Sequence, residues 1–218
     1  MKTIHIPYLQ KLDIADAQLA ADLLEEDGVK ATIRELNWPD QYPYRPITIF
    51  SVGYSSDSIF IKYSIRGNIL KAIYEHDNEP VYEDSCVEFF CKLPNSRYYF
   101  NFEFNCIGTC LAAKRRERKE DVVRFSTEDL KKISRYSSIG KRAFNEMQGL
   151  FEWELTVKIP FEMMEIEPDK LPDRLLVNFY KCATDSSDYT HYVSWSPIDT
   201  PEPDFHRPEF FGEMIFDV

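Results

Sequence analysis

Asp84, Glu88 and Glu103 share one stretch, Tyr82–Leu111 (YEDSCVEFFCKLPNSRYYFNFEFNCIGTCL), and Glu152 and Glu154 sit in a later one, Leu150–Ile159 (LFEWELTVKI). Paired carboxylates are the equipment of glycoside hydrolysis, which holds two carboxyl groups roughly 5–10 Å apart with separated pKa values. Cross-strand neighbours on a hairpin meet that distance, and Glu88 with Glu103 is the pair the spacing selects. The same residues on the same hairpin also serve for ligand binding or as plain surface. The reading adopted is therefore a protein without catalytic residues, and a glycoside hydrolase using Glu88 and Glu103 is the alternative.

Other chemistries lack their residues. There is no GxSxG, no GxGxxG and no P-loop, and the seven glycines are scattered. His5, His76, His191 and His206 lack metal-ligand spacing, so no metal site is assigned. Cys86, Cys91, Cys106, Cys110 and Cys182 are an odd number without CxxC, set among apolar neighbours. They read as buried free thiols, which argues against a disulfide framework or zinc and for a reducing compartment. A haem- or partner-binding sandwich is a second alternative, although Met1, Met147, Met163, Met164 and Met214 form no axial pairing with the histidines.

A net charge of −11 argues against nucleic acid and anionic membrane as partners, since both require a basic face. Lys114–Asp121 (KRRERKED) is the only basic block and reads as a solvated loop or strand end. The first residues, MKTIHIPYLQKLDIAD, lack an apolar core of signal-peptide length, and no window reaches the ~18 apolar residues of a membrane span. The expectation is a soluble, cytoplasmic chain, or a periplasmic or extracellular one if a signal has been removed.

The elements that position these residues are strands. Aromatic residues make up 15% of the chain, which favours pleated, half-buried surfaces. Cys86–Lys92 and Tyr98–Asn105 alternate apolar and polar residues around a turn at Pro94, Asn95 and Ser96, the pattern of a hairpin. Further strands are predicted at Val29–Leu36, Ile47–Ser51, Ser58–Ile65, Ile69–Tyr74, Thr109–Lys114, Leu150–Ile159, Leu175–Ala183, Tyr189–Trp195 and Glu213–Asp217. Ala15–Glu26 has helical composition and stops at Asp27-Gly28, and Ser126–Ile133 is a short helix capped by Ser126 or Thr127. About ten closely spaced strands with one or two short helices give an all-β fold, an antiparallel sandwich or partly closed barrel. With no repeat or linker, residues 1–218 read as one domain, with 1–36 an irregular lead-in packed on it.

Ser194–Gly212 (SWSPIDTPEPDFHRPEFFG) is a long loop stiffened by Pro197, Pro201, Pro203 and Pro208. A Trp on such a loop suits stacking on the apolar face of a sugar, with Arg207 near enough to fix hydroxyls. Burial of Trp195 against the last strand is the other reading, and the sequence leaves both open.

Six segments, YEDSCVEFF (82–90), YYFNFEFNCIGT (98–109), FEWELTVKIPF (151–161), LLVNFYKC (175–182), YVSWSP (192–197) and FHRPEFFG (205–212), together resemble family 9 carbohydrate-binding modules, and more closely the CBM9-like domain of gut Bacteroidetes proteins. The match in order and spacing runs from roughly Asn37 to the end. The resemblance implies an immunoglobulin-like or jelly-roll-like β-sandwich and non-catalytic binding of an oligosaccharide or polysaccharide. The ligand would be a plant-type or host glycan end, clamped between Tyr82 and Trp195 and hydrogen-bonded by Glu88, Glu103, Asn105 and Arg207. Glu103 stands where those modules carry an arginine, and Tyr82 offers a smaller face than Trp. Such modules occur attached to xylanases, which links the family to xylan and polysaccharide catabolism. They also bind structural calcium, whose ligand loops find no match here, so no cofactor is assigned and calcium is left open. Oligomeric state is not assigned.

Overall fold

Strand formation follows the period-two pattern of the sequence, and the computed structural model describes residues 1–217. Among them are fourteen strands: β1 (Thr3–Pro7), β2 (Val29–Thr32), β3 (Glu35–Leu36), β4 (Ile47–Tyr54), β5 (Ser58–Ala72), β6 (Cys86–Lys92), β7 (Tyr99–Asn105), β8 (Cys110–Arg115), β9 (Val123–Arg124), β10 (Ser134–Ser137), β11 (Phe144–Pro160), β12 (Arg174–Ala183), β13 (His191–Ser194) and β14 (Gly212–Asp217). Two helices, α1 (Ala17–Asp27) and α2 (Thr127–Leu130), accompany them. Asp16 caps α1 by accepting from the Gln18 and Leu19 amides, and Ser126 caps α2 by accepting from the Asp129 amide.

The strands form a β-sandwich. The larger sheet runs β1-β14-β12-β6-β7-β8-β9, with β13 and β3 attached where β13 pairs with β12 beyond β14. The smaller sheet runs β10-β11-β5-β4-β2. Their facing sides share one apolar core, in which Phe50 of β4 stacks on Phe179 of β12 with centroids 3.9 Å apart. Alternation decides what enters it: Val87, Phe89 and Cys91 of β6 and Phe100, Phe102 and Phe104 of β7 point inward. The residues between them point outward, where a second apolar cluster covers the sheet with Phe90, Tyr99, Tyr180, Phe205 and Phe211. The large sheet is therefore buried on both faces.

Three expectations change. Fourteen strands replace ten, because two- to five-residue strands such as β3, β9 and β1 are too short to show a period. Residues 1–36 are no irregular lead-in: β1 and β3 extend the large sheet, β2 borders the small one, and Ile4 and Ile6 of β1 join the core. Pairing of β1 with β14 is parallel, the exception among otherwise antiparallel ladders. Finally, Ser58–Ile65 and Ile69–Tyr74 belong to one strand. Gly67 carries β5 through a place where a Cβ would lie 2.8 Å from the Tyr44 hydroxyl and 3.0 Å from Pro46.

Trp195 is 4% exposed and belongs to the core between the sheets. Its ring meets Phe179 edge-on at 5.8 Å and Phe50 at 6.4 Å, and its amide donates to the Phe179 carbonyl (2.8 Å). Gly212 makes room for it, since a Cβ there would fall 2.5 Å from the indole and 2.6 Å from the Lys2 carbonyl. Truncating this ring opens a cavity, so Trp195→Ala is expected to cost about 3–5 kcal/mol. Gly212→Ala, which forces backbone or indole to move, is expected to cost about 1–3 kcal/mol. Equilibrium unfolding in denaturant measures both, and a Gly212→Ala protein as stable as the parent would refute the packing argument.

Candidate functional site

The outward face of the large sheet holds a cavity of about 280 Å³. Its floor is made by the outward-pointing residues of four neighbouring strands: Glu88 of β6, Glu103 of β7, Leu111 of β8 and Cys182 of β12. Register explains the grouping, because Glu88 is the direct partner of Glu103, Glu103 of Leu111, and Cys182 of Cys86. Tyr82 and Tyr192 form walls, as do Asp204, Phe205 and His206 of the C-terminal loop. Arg115, Arg118, Lys119 and Arg124 line the remaining side.

Each wall is held by its own contacts. Tyr82 rides on a 3-10 turn, Val81–Glu83, and is 38% exposed. The buried Asp84 that follows accepts from the Ile73 amide (3.0 Å), the Tyr74 amide (3.2 Å) and Asn105 Nδ2 (3.0 Å), which staples the turn to the sheet. Tyr192 is packed edge-on by Tyr42 (4.8 Å) and Trp38 (6.2 Å). Phe205 stacks on Tyr180 at 4.2 Å, and the Tyr180 hydroxyl donates to the Phe205 carbonyl (3.0 Å). The rings of Tyr192 and Phe205 are thus packed in place, and the turn that carries Tyr82 is held to the sheet.

The floor carboxyls sit in a dry setting, 3% exposed each. Burial raises Glu88 well above the usual carboxylate range, with the neighbouring Cys182 and Glu103 adding to it; Cys182 Sγ donates to Glu88 Oε1 at 3.1 Å. Burial also raises Glu103 to about 7, opposed by the nearby Arg115. Asn101 Nδ2 donates to Glu103 Oε1 (2.9 Å), and Arg115 Nε donates to Asn101 Oδ1 (2.8 Å). Glu103 Oε2 is buried and has no partner. His206 is depressed to about 3 by burial and then by Arg115, and it faces Tyr99 across a 3.0 Å hydrogen bond, so the imidazole is neutral at ordinary pH.

Of the residues singled out from the sequence, Tyr82, Glu88 and Glu103 come together here. Trp195, Asn105 and Arg207 do not. Trp195 shares the core-facing parity of Val193, so it packs between the sheets and cannot stack on a ligand in this cavity. Asn105 is fully buried; its Nδ2 donates to the Tyr74 carbonyl and to Asp84, and its Oδ1 accepts from the Thr109 amide, a structural knot. Arg207 turns to Glu209 (3.3 Å) and Asp204 (3.9 Å). The basic block 114–121 is more than a solvated loop, since three of its side chains line the cavity. Tyr192 and Arg124 were not singled out. Alternation within YVSW would have placed Tyr192 outward and Trp195 inward, whereas the two-residue β9 gave no signal for Arg124.

One group of ligand-type side chains is assembled among the described residues: Cys86, Glu88 and Cys182, with ligand atoms within 4.8 Å of one another. Calcium takes six to eight hard oxygens, so a set with two thiols does not fit it. All five cysteines are buried and unpaired. Among the described residues no helix is long and apolar enough to cross a membrane.

The family model for carbohydrate-binding family 9 matches residues 17–216. A presumed carbohydrate-binding protein from Bacteroides uniformis ATCC 8492 has a similar crystal structure, with TM-score 0.91, 31% identity and 99% of both chains covered. A family 9 carbohydrate-binding module from Caldicellulosiruptor kristjanssonii in complex with glucose has TM-score 0.62 and 11% identity over 99% of this chain and 96% of that one. The same organism's module in complex with cellotriose has TM-score 0.60 and 10% identity, covering 99% of this chain and 93% of that one. Among curated proteins no match is found.

Glu103 gives a signed pH dependence. Below the unfolded value of 4.5 both states hold the proton and the residue is neutral to stability. Between 4.5 and about 7 only the folded state holds it, so stability falls as pH rises, and above that range the full cost remains. A shift of this size corresponds to a cost on the order of 3 kcal/mol. Glu103→Gln, which keeps an acceptor for Asn101, is therefore expected to match the parent near about pH 4 and to exceed it by up to about 3 kcal/mol near about pH 8. Denaturant midpoints across that range check this, and equal pH profiles would contradict it.

Proposed function

The chain belongs to carbohydrate-binding family 9, and on that premise we propose that it binds the end of an oligosaccharide or polysaccharide without cleaving it. The observation that carries the proposal is the outward cavity itself, in which the part-exposed ring of Tyr82 stands over a floor with an unpartnered carboxyl oxygen, Glu103 Oε2. A pyranose ring lays its apolar face on Tyr82, with Tyr192 limiting the space opposite. Its hydroxyls satisfy Glu103 Oε2 and meet the rim. The cavity lies at the small end of ligand clefts, which run roughly 300–1,000 Å³, so a terminal unit suits it better than the middle of a long chain. Plant-type and host glycans both present such ends, and xylan fragments are natural first ligands to try. The Caldicellulosiruptor kristjanssonii modules, solved with glucose and cellotriose, support the sugar class.

Hydrolysis has one favouring observation, the direct cross-strand pairing of Glu88 with Glu103 in a shared cavity. Against it, burial holds Glu88 protonated and raises Glu103 to about 7, so neither is a fully ionised nucleophile near neutral pH. Incubation with xylan and cello-oligosaccharides, followed by a reducing-end assay, separates the two. Reducing ends released by the parent and not by Glu88→Gln would replace binding with catalysis.

Stacking plus a few polar contacts corresponds to a dissociation constant on the order of 10 µM to 1 mM, about −4 to −7 kcal/mol. Calorimetric titration is expected to show Tyr82→Ala and Tyr192→Ala each weakening binding roughly tenfold, and Tyr82→Phe changing it little. No saccharide bound by the parent, or unchanged binding in both alanine variants, would overturn the proposal.

A further inference from the structure

We infer that the sugar end taken by this cavity carries a negatively charged substituent, a uronic carboxylate or a sulfate ester. The inference rests on the carbohydrate reading and names the substrate class of that same site. Its basis is charge that the molecule has left uncompensated. The chain has 37 acidic and 26 basic side chains, so counter-charges are abundant. Yet four cations, Arg115, Arg118, Lys119 and Arg124, converge on one cavity.

Their partners are almost all neutral. Arg115 donates to Asn101 Oδ1 (2.8 Å) and to the Arg118 carbonyl (2.7 Å), and Arg124 donates to the Asn78 carbonyl (3.0 Å). Among the described residues, Arg118 has one carboxylate contact, Asp204 at 3.6 Å, while Arg115, Lys119 and Arg124 have none within 4.0 Å. Arg116, in the same run but absent from the lining, is instead paired with Glu120 (2.5 Å) and Asp121 (3.4 Å). Pairing was therefore available locally, and among the four lining cations Arg118 alone has a carboxylate contact within 4.0 Å among the described residues. Of the other acids in the lining, burial holds Glu88 toward neutrality and raises Glu103 to about 7, so Asp204 and a partly ionised Glu103 are the carboxylates set against four cations.

A neutral ring with hydroxyls alone would leave that charge unused. An anionic substituent placed toward Arg118, Lys119 and Arg124 uses it, while the ring stays on Tyr82 and a hydroxyl reaches Glu103 Oε2. Partial shielding from water inside the cavity strengthens such attraction relative to open water, and salt weakens it at the exposed rim. The local positive field also offsets the repulsion that a −11 protein exerts on an acidic polysaccharide.

The test is calorimetric titration of the intact protein with matched pairs: glucuronate- against glucose-terminated and galacturonate- against galactose-terminated oligosaccharides, and a sulfated sugar against its unsulfated parent. The charged member of at least one pair is expected to bind about tenfold tighter at low salt, with the advantage shrinking at about 0.3 M salt. The carboxylate and sulfate arms identify the source of the charge. The double variant Arg118→Ala/Arg124→Ala changes exposed side chains only, so its circular dichroism should match the parent. It should lose most of the preference, the charged member of the pair weakening at least about fivefold more than the neutral one. Equal binding of charged and neutral members would overturn the inference and leave the carbohydrate reading standing. Equal weakening of both by the double variant would overturn it too, as would inorganic sulfate or acetate competing as well as the sugar acid. Failure of every saccharide, charged or neutral, would sink the carbohydrate reading and the inference with it.

Discussion

Successive side chains of β6, β7, β8 and β12 point to opposite sides of one sheet, and both sides are dry. Burying a polar group without a partner costs about 1–3 kcal/mol, so every outward polar residue on those strands must find one. Most do: Asn178 accepts from the Ser196 amide, Asn101 bridges Glu103 and Arg115, and Asn105 ties into Asp84. Glu103 Oε2 is the outward floor atom for which no protein partner exists. The candidate site is thus the place where the second dry face is incomplete.

What completes that face elsewhere is chain from outside the sheet. The C-terminal loop stacks Phe205 on Tyr180, Trp38 donates its indole N–H to the Thr200 carbonyl (2.7 Å), and Asp84 pins the turn that presents Tyr82. These contacts exclude water, and exclusion of water in turn raises Glu103 and depresses His206. Packing and ionisation are therefore one arrangement, and a loosened cover would move both together.

The hairpin β6–β7 was legible because its alternation is long and its turn unambiguous. The pairing of Glu88 with Glu103 followed from it. For Trp195 parity outweighs residue type: an aromatic on a proline-rich loop suggests a stacking platform, but Val193 two residues earlier already fixes the inward side. Arg115, Arg118 and Lys119 lay hidden in a run whose charge pattern is that of any solvated loop. What sets them apart is that they line one cavity with a single carboxylate contact, Arg118 to Asp204, among the described residues, a tertiary property absent from spacing. Strand β1 carries no signal of its own for a related reason, since it reaches only five residues and its partner is β14, about 200 residues away.

That last pairing has a consequence for the order of assembly. β1 is synthesised about 200 residues before the strand it must lie beside, an interval of roughly 10–40 seconds at ordinary elongation rates. Until then Ile4 and Ile6 have no sheet to join, and the β12 edge that β14 will cover presents open backbone amides and carbonyls. The β14 and β1 border of the larger sheet therefore forms late, once β14 has been made. The interval before it is when nascent chains of this protein are most exposed to wrong partners.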